Sequence, residues 1–375
     1  MYKAYKFRLY PNENQKILIN KTFGSYRFIY NHFLNKCKEN KYIKAYDMCK
    51  MLKELEIEYP WLKEVDSCAL RCAIFNLEDA YKNFFNKRAS YPKFKNRYNR
   101  QSYRTNCIKS SYKGKEYSNI KVDLKSKEIK LPKLGLVKIR GYRDKSEISE
   151  NIINATISRE SAGKYYVSVA VKEENQNKEK VIPKSIIGLD LGVKDLVITS
   201  DGEKYSNEKE ILKKEKRLKR LQRSLSRKEK GSNNYNKTKQ KIAVLHSKIK
   251  NSRKHNIIKI VNKIVKENDI IVTEHLEVQK MKVSHNLTKL ILDASFNKIC
   301  TMLKWKTEQE GKYYYMIDKY FPSSQLCSHC TNKEESIKDL SIRNFICKSC
   351  GNKNDRDINA SINIMYEGLR LHYSN

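Results

Sequence analysis

Residues 185–193 read SIIGLDLGV and lead directly into KDLVITSDGEKY at 194–205. Two short apolar runs, the second closing on Asp-Gly, predict adjacent strands of a hairpin. Asp190 interrupts the first run, where a carboxylate without a partner would cost several kcal/mol. Further along, NDIIVTE (268–274) is an apolar strand ended by Glu274, and NDRDINASINIM (354–365) opens the last helix with Asp357. Taken singly, each acid has a bland explanation, most obviously Asp357 as a helix N-cap. Taken together, on three strands, a further strand and a helix, they predict one acidic cluster.

Phosphodiester hydrolysis explains why such a cluster would be wanted. Negative charge develops on the attacking, leaving and non-bridging oxygens, and two Mg²⁺ ions about 4 Å apart stabilise all of them. Mg²⁺ takes hard oxygen ligands. Asp190 is placed to bridge both ions, with Glu274 and Asp357 on the flanks, and bound metal removes the repulsion that would otherwise raise the carboxylate pKa values.

Composition points the same way. Among 375 residues, 78 Lys and Arg face 42 Asp and Glu, a formal charge of +36, which calls for a polyanionic partner. No run of about 18 apolar residues exists and the N-terminus lacks a signal-type apolar stretch, so a soluble, cytoplasmic, nucleoid-associated protein without a membrane partner is expected. With 39% hydrophobic residues the chain can bury a real core, and its length suits two or three domains. Collagenous, disordered and disulfide-scaffold classes are excluded.

Four of the ten cysteines, Cys327, Cys330, Cys347 and Cys350, form C-x2-C-x16-C-x2-C. This is the spacing of a four-thiolate structural zinc ribbon, each C-x2-C directing two sulfurs at one ion. His329, between the first pair, is read as facing solvent or nucleic acid. The remaining cysteines are expected to be reduced, small core residues.

Before the hairpin, YKAYKFRLYP alternates as one amphipathic strand, and residues 15–85 carry helical periodicity broken at Pro60. Cations and aromatics interleave through 86–106, and short alternating segments over 117–171 predict a small β-barrel or sandwich. A polar linker, KEENQNKEKVIPKS (172–185), follows. Residues 208–265 read as a strongly basic helical pair joined near Gly231, with Leu212, Leu218, Leu221 and Leu225 on one side and Lys213, Arg217 and Arg220 among the expected phosphate contacts. Gln101, Tyr103, Arg104 and Thr105 are candidate base readers, since they combine hydrogen-bonding, stacking and cationic groups.

The βββ…β…α order resembles the ribonuclease H arrangement. GLDLGVKDLVITSDGEKY, IIVTEHLEV, YFPSSQLCSHC, FICKSCG and DRDINASINI, in this order, resemble the RuvC-like nuclease of the TnpB (OrfB) proteins of bacterial insertion sequences. KFRLYPNENQ, YPKFKNR and ATISRESAGKYYVSV extend the resemblance over nearly the whole chain. It implies an RNA-guided DNA endonuclease related to type V CRISPR effectors, with a guide RNA made from its own element and double- and single-stranded DNA as target. It also implies an α/β multidomain fold: a wedge β-barrel (1–10 and 96–180) with a helical recognition insertion (11–95), then a RuvC-like nuclease (185–375) carrying an inserted zinc ribbon (321–352). The family's catalytic acids fall on Asp190, Glu274 and Asp357, with Asp355 as the weaker alternative to the last. His275, Phe296 and Thr331 stand where the family has Asp, Trp and Gly, and none of these removes a ligand.

Two other functions compete. An RNA-guided repressor would have lost one of the acids. A carboxylate-triad transposase would need neither the wedge nor an RNA, and no His-x-His pair with a partner tyrosine supports single-strand transposition.

Overall fold

Alternation in the opening segment becomes strand β1 (Tyr2–Tyr10), which buries Tyr5, Phe7 and Leu9 on one face and exposes Lys6 and Tyr10, as the two-residue period of a strand requires. The computed structural model describes residues 2–39, 42–98, 100–112, 115–141, 148, 151–173, 179–277, 294–334 and 342–374. The chain divides into two compact units, Met1–Asn175 and Gln176–Asn375, within the polar linker.

In the first unit, helix α1 (Glu13–Glu39) begins with a reciprocal cap. The backbone N–H of Gln15 donates to Asn12 Oδ1 at 2.8 Å, and that of Asn12 donates to Gln15 Oε1 at 3.0 Å, so two otherwise orphaned donors are satisfied at once. Ile19, Phe23, Tyr26, Ile29, Tyr30 and Phe33 form its buried stripe. Helix α2 (Ala45–Glu58) stops before Pro60, which opens a short 3-10 turn. Asp66 then caps helix α3 (Ser67–Phe85) by accepting from Cys68 N at 3.0 Å.

The strands that follow are β2 (Gln101–Asn106), β3 (Lys109–Tyr112), β4 (Lys115–Ser118), β5 (Lys121–Asp123), β6 (Glu128–Leu131), β7 (Gly135–Arg140), β8 (Ile152–Arg159) and β9 (Tyr165–Lys172). Seven of the strands form one sheet in the order β2-β8-β9-β1-β7-β6-β5, and β3 with β4 makes a separate hairpin. The barrel expected here is, among the described residues, an open antiparallel sheet whose end strands β2 and β5 do not pair with each other. One continuous core joins β1, β7, β8 and β9 to α1, α2 and α3.

The second unit is built on the hairpin of residues 186–199. Strands β10 (Ile186–Asp190) and β11 (Asp195–Thr199) pair antiparallel, and β12 (Lys204–Ser206) returns through Asp201-Gly202, where Gly202 has φ +91. Helices α4 (Glu210–Ser226) and α5 (Asn233–Glu267) follow, the latter capped by Ser232. Strand β13 (Ile270–Thr273) lies parallel to β10, and beyond helix α6 (Phe296–Glu310) strand β14 (Tyr313–Met316) lies parallel to β13. The sheet order is therefore β12-β11-β10-β13-β14. Strands β15 (Asn344–Ile346) and β16 (Lys353–Asp355) form a small ladder, and helix α7 (Arg356–Tyr373) closes the chain.

Close approach of α7 to the sheet depends on two glycines. A Cβ on Gly188 would strike the backbone of Ser361 and Met365, and one on Gly368 would strike Val272. Missing side chains at these points let the helix lie directly on β10 and β13, which is what brings its first turn to the strand ends. No helix among the described residues is long and apolar enough to cross a membrane.

Candidate nuclease centre and thiolate cluster

Asp190 is the last residue of β10, and Glu274 directly follows β13, the parallel neighbour of β10. Parallel pairing in register therefore carries the two carboxylates to the same edge of the sheet, where they hydrogen-bond to each other. Burial, reinforced by the charge of Asp357, pushes Asp190 up to about 6. Its hydrogen bond to Glu274, the N–H of Leu191 and the charge of Arg356 act in the opposite sense. Burial and the neighbouring Asp190 push Glu274 up to about 8. The pair thus holds a proton near neutrality, as desolvated and crowded carboxyls do. Hard oxygen donors forced together in this way fit a divalent cation, which displaces the proton on binding.

The last helix separates the roles of its two acids. Asp355, not Asp357, is the N-cap of α7, accepting from the N–H groups of Asp357 and Ile358 at 3.0 and 3.1 Å, and it also accepts from Lys204 Nζ at 2.6 Å. Asp357 sits in the first turn, close enough to raise the Asp190 pKa, and accepts from Arg343 Nη1 through both oxygens at 3.1 Å. The capping explanation that competes for Asp357 thus belongs to its neighbour. Arg343 was not signalled by the sequence, because nothing local distinguishes it from the many surface cations.

With no divalent ion present, the raised carboxyls set a pH dependence. Between the ordinary values of 3.8 and 4.5 and the folded values near 6 and 8, the native state keeps protons that the unfolded chain has released. Stability therefore falls as pH rises through this window. Melting temperatures of zinc-loaded protein freed of Mg²⁺ by dialysis are expected to decline from about pH 4 to pH 8, and Mg²⁺ is expected to remove the decline. A flat profile in the Asp190→Asn, Glu274→Gln double variant assigns the slope to this pair; an unchanged slope there refutes the assignment.

All four ribbon cysteines converge. Cys327 Sγ lies 3.7 Å from Cys350 Sγ and Cys330 Sγ lies 3.6 Å from Cys347 Sγ, and all four sulfurs fall within 4.8 Å of one another. Zn–S bonds of about 2.3 Å at tetrahedral angles place sulfurs about 3.8 Å apart, so the cluster fits a four-coordinate ion. The two knuckles repeat each other: Thr331 N donates to Cys327 O and Gly351 N to Cys347 O, both at 2.8 Å, while Cys327 N and Cys347 N donate to Asn332 O and Asn352 O at 2.9 Å. Although burial works against ionisation, the N–H groups of Cys330 and His329 and the neighbouring thiols draw Cys327 down to about 7.

Each knuckle needs a left-handed residue after its second cysteine. Gly351 supplies it with φ +73, whereas Thr331 is held at φ +60, a conformation that costs a β-branched residue about 1–2 kcal/mol. Its hydroxyl donates to Cys330 O at 2.7 Å, a partial compensation. Thr331→Gly is expected to stabilise the ribbon by up to about 1 kcal/mol, read as slower release of metal to a chelator. Faster release would show that the hydroxyl outweighs the strain.

Two buried asparagines bind the ribbon to α7. Asn359 Nδ2 donates to Leu326 O at 2.6 Å while its Oδ1 accepts from Ser328 N at 2.7 Å. Asn363 Nδ2 reaches Ser323 O and Leu326 O at 2.8 and 2.7 Å. The i, i+4 spacing of the two asparagines on the helix face that also buries Ala360, Ile364 and Gly368 is the available signal. Inside the ribbon, buried Glu334 accepts from Lys348 N at 2.7 Å and ties its two halves together.

The expected nucleic-acid contacts divide. Tyr103 and Thr105 belong to the buried face of β2. Tyr103 packs edge-on against Phe23 at 5.7 Å, and the Thr105 hydroxyl donates to the Asp66 carboxylate. Neither can meet a base, because the strand period turns them into the core while Gln101 and Arg104 remain half-exposed. On α4, Arg217 and Arg220 are exposed; Lys213 is also exposed and pairs with Glu208. Leu218 and Leu221 pack on Leu245, Ile249 and Ile242 of α5, but Leu212 lies outside that seam and is exposed.

Comparison with known proteins accords with this geometry. The OrfB_IS605 family model, described as "Probable transposase", matches residues 166–285, which carry Asp190 and Glu274. A "Cas12f1-like, TNB domain" model matches 296–364, which carry the cysteines and Asp357, and a helix-turn-helix model matches 1–42. A Streptomyces pristinaespiralis protein provisionally named an RNA-guided DNA endonuclease is 32% identical over 98% of this chain and 89% of its own length. The Escherichia coli protein InsQ, provisionally named in the same way, is 33% identical over 98% of this chain and 92% of its own length. Among solved structures, a Cas12f1 complex with guide RNA and target DNA superposes with a TM-score of 0.60 at 14% identity, over 97% of this chain and 98% of the other. The mini-RNA-guided endonuclease Cas_phi3 gives 0.51 at 9% identity, over 98% and 92%. With near-full-length relatives at this identity and family models spanning both the carboxylate-bearing strands and the thiolate cluster, the chain belongs to the TnpB (OrfB) family.

Proposed function

We propose that this chain is an RNA-guided, Mg²⁺-dependent DNA endonuclease of a bacterial insertion sequence, cutting next to a short target-adjacent motif and using a guide RNA from its own element. The observation that carries this reading is geometric: the in-register parallel pairing of β10 and β13 brings Asp190 and Glu274 to the same edge of the sheet. The net charge of +36 supplies the affinity for nucleic acid.

Asp190, Glu274 and Asp357 would hold the divalent ions, which when bound activate water and stabilise charge on the phosphate oxygens. Asp190, between the other two in its electrostatic contacts, would be shared. Arg343 orients Asp357 through both of its carboxylate oxygens, and Asp355, committed to the helix cap and to Lys204, keeps the first turn of α7 in place. Cys327, Cys330, Cys347 and Cys350 would hold one structural zinc, their four thiolates leaving no open position for a substrate. Arg217 and Arg220 would meet phosphates. The reading includes a wedge domain (1–10 and 96–180), a helical insertion (11–95), a RuvC-like nuclease (185–375) and a ribbon within it (321–352).

The test uses protein purified with its copurifying RNA, which is sequenced and matched to DNA flanking the gene. Cleavage of a matched target is expected in Mg²⁺ and Mn²⁺ and not in Ca²⁺ or EDTA, because Ca²⁺ takes more ligands at longer distances. Products should carry 5′-phosphate and 3′-hydroxyl ends. Full activity in EDTA, or DNA left covalently attached to a tyrosine, would overturn the reading.

A further inference from the structure

With Tyr103 and Thr105 turned into the core, the exposed aromatic groups of this region lie just before β2. From Ala80 to Lys115 the chain has eleven Lys and Arg residues and no Asp or Glu. In its irregular part after α3, the described residues Tyr91 and Lys95 are nevertheless pinned. The Asn31 side chain from α1 makes two 2.8 Å hydrogen bonds to the backbone N–H and C=O of Lys95. The Lys95 ammonium sits 3.7 Å from the Tyr30 ring centroid, and the Tyr81 and Tyr91 hydroxyls are 2.9 Å apart.

What this scaffold holds outward is apolar ring surface. Phe85, Tyr91, Phe94 and Tyr98 are 56%, 38%, 46% and 73% exposed. Lys38 lies over the Phe94 ring at 4.4 Å and Arg97 over Tyr98 at 5.1 Å, and Lys87, Arg88 and Lys93 are exposed in the same segment. Rings kept in water by a pinned backbone, among uncompensated cations, have the chemistry of a stacking platform for unpaired bases on a phosphodiester strand. Pre-organisation reduces the ordering cost of binding.

We propose that Phe85, Tyr91, Phe94 and Tyr98 stack on the bases of single-stranded DNA, the strand left unpaired when the guide pairs with its complement. This rests on the nuclease reading for the identity of the strand. Ring stacking tolerates any base, which suits a displaced strand whose sequence changes with every target. RNA bases stack on aromatic rings too, but a scaffold of constant sequence is distinguished through its base edges and 2′-hydroxyls, which ring faces do not read.

The experiment irradiates the full chain with single-stranded DNA carrying 5-iodouracil and maps the crosslinked residues. Crosslinks are expected at Tyr91, Phe94 or Tyr98. Phe85→Ala, Phe94→Ala and Tyr98→Ala combined are expected to weaken binding of that DNA by about tenfold or more, with the slope against salt unchanged because no cation is lost. Tyr98→Ala alone, at a highly exposed position, gives a smaller loss in the same direction without risk to the fold. Crosslinks confined to other residues, or capture of same-sequence RNA by these rings in preference to DNA, would overturn the proposal. Asp190→Ala protein should crosslink like wild type, so failure of the map and failure of the nuclease reading are separable.

Discussion

Asp190→Ala is expected to lower DNA cleavage by on the order of a thousandfold or more while RNA and DNA binding persist. Asp190 touches both other acids of the centre, by hydrogen bond to Glu274 and by charge to Asp357, so its loss removes the group best placed to be shared between metal ions. The cations of α4, which the proposed function sets against phosphates, are untouched by the change. Stability moves in the opposite sense to activity. Because the ionised Asp190 is disfavoured in the fold, the zinc-loaded alanine protein at pH 8 without Mg²⁺ is expected to melt no lower than wild type, as happens when a strained functional group is removed. Gel-shift binding, cleavage rates and melting curves on one preparation distinguish this outcome from simple unfolding. Cleavage near the wild-type rate would remove Asp190 from the centre.

Cys347→Ser is expected to lose the one zinc per chain and, with it, most of the cleavage. A ribbon of this size has little apolar interior, so metal ligation supplies the free energy that folds it, about 10–16 kcal/mol for structural zinc in small domains. The consequence reaches the proposed catalytic centre by two routes. Asn359 and Asn363 of α7 anchor to Ser323, Leu326 and Ser328 beside the first knuckle, and Arg343 from the same ribbon holds Asp357. Releasing the ribbon leaves the asparagines without buried partners and loosens the helix turn that bears Asp357. Elemental analysis, hydrogen exchange at the amides of Cys327 to Asn332, and cleavage should therefore change together, by at least about tenfold in rate. Freshly purified wild-type protein without zinc, or a variant with an exchanging ribbon and normal cleavage, would show that the ribbon does not hold the centre in place.

Much of the architecture was legible from residues near one another in sequence. The period of β1, the helix stripes of α1 and α3, the stop at Pro60, the hairpin with its Asp-Gly turn, the basic helical pair and the C-x2-C spacing all depend on neighbours within a few positions. A strand buries alternate residues, and once 101–106 is placed in the sheet Tyr103 and Thr105 belong to the core; the cations of that segment conceal its membership of a sheet from a local reading. An open seven-strand sheet where a barrel was expected reflects pairings between strands distant in the chain, which alternation alone does not specify.

The arrangement of the acids was decided by tertiary contact. Asp355 and Asp357 are equivalent in composition and two residues apart, yet one caps a helix and the other meets Asp190, because α7 can settle onto β10 only over the bare backbone of Gly188. The raised pKa values of Asp190 and Glu274 come from burial and from each other, and Arg343 becomes relevant only once the ribbon folds beside Asp357. Periodicity and ligand spacing are short-range properties carried by the covalent chain. Desolvation and charge interaction depend on which distant residues come within a few ångströms, so the presence of the acids could be read from the sequence while their proton affinity and division of roles required the fold.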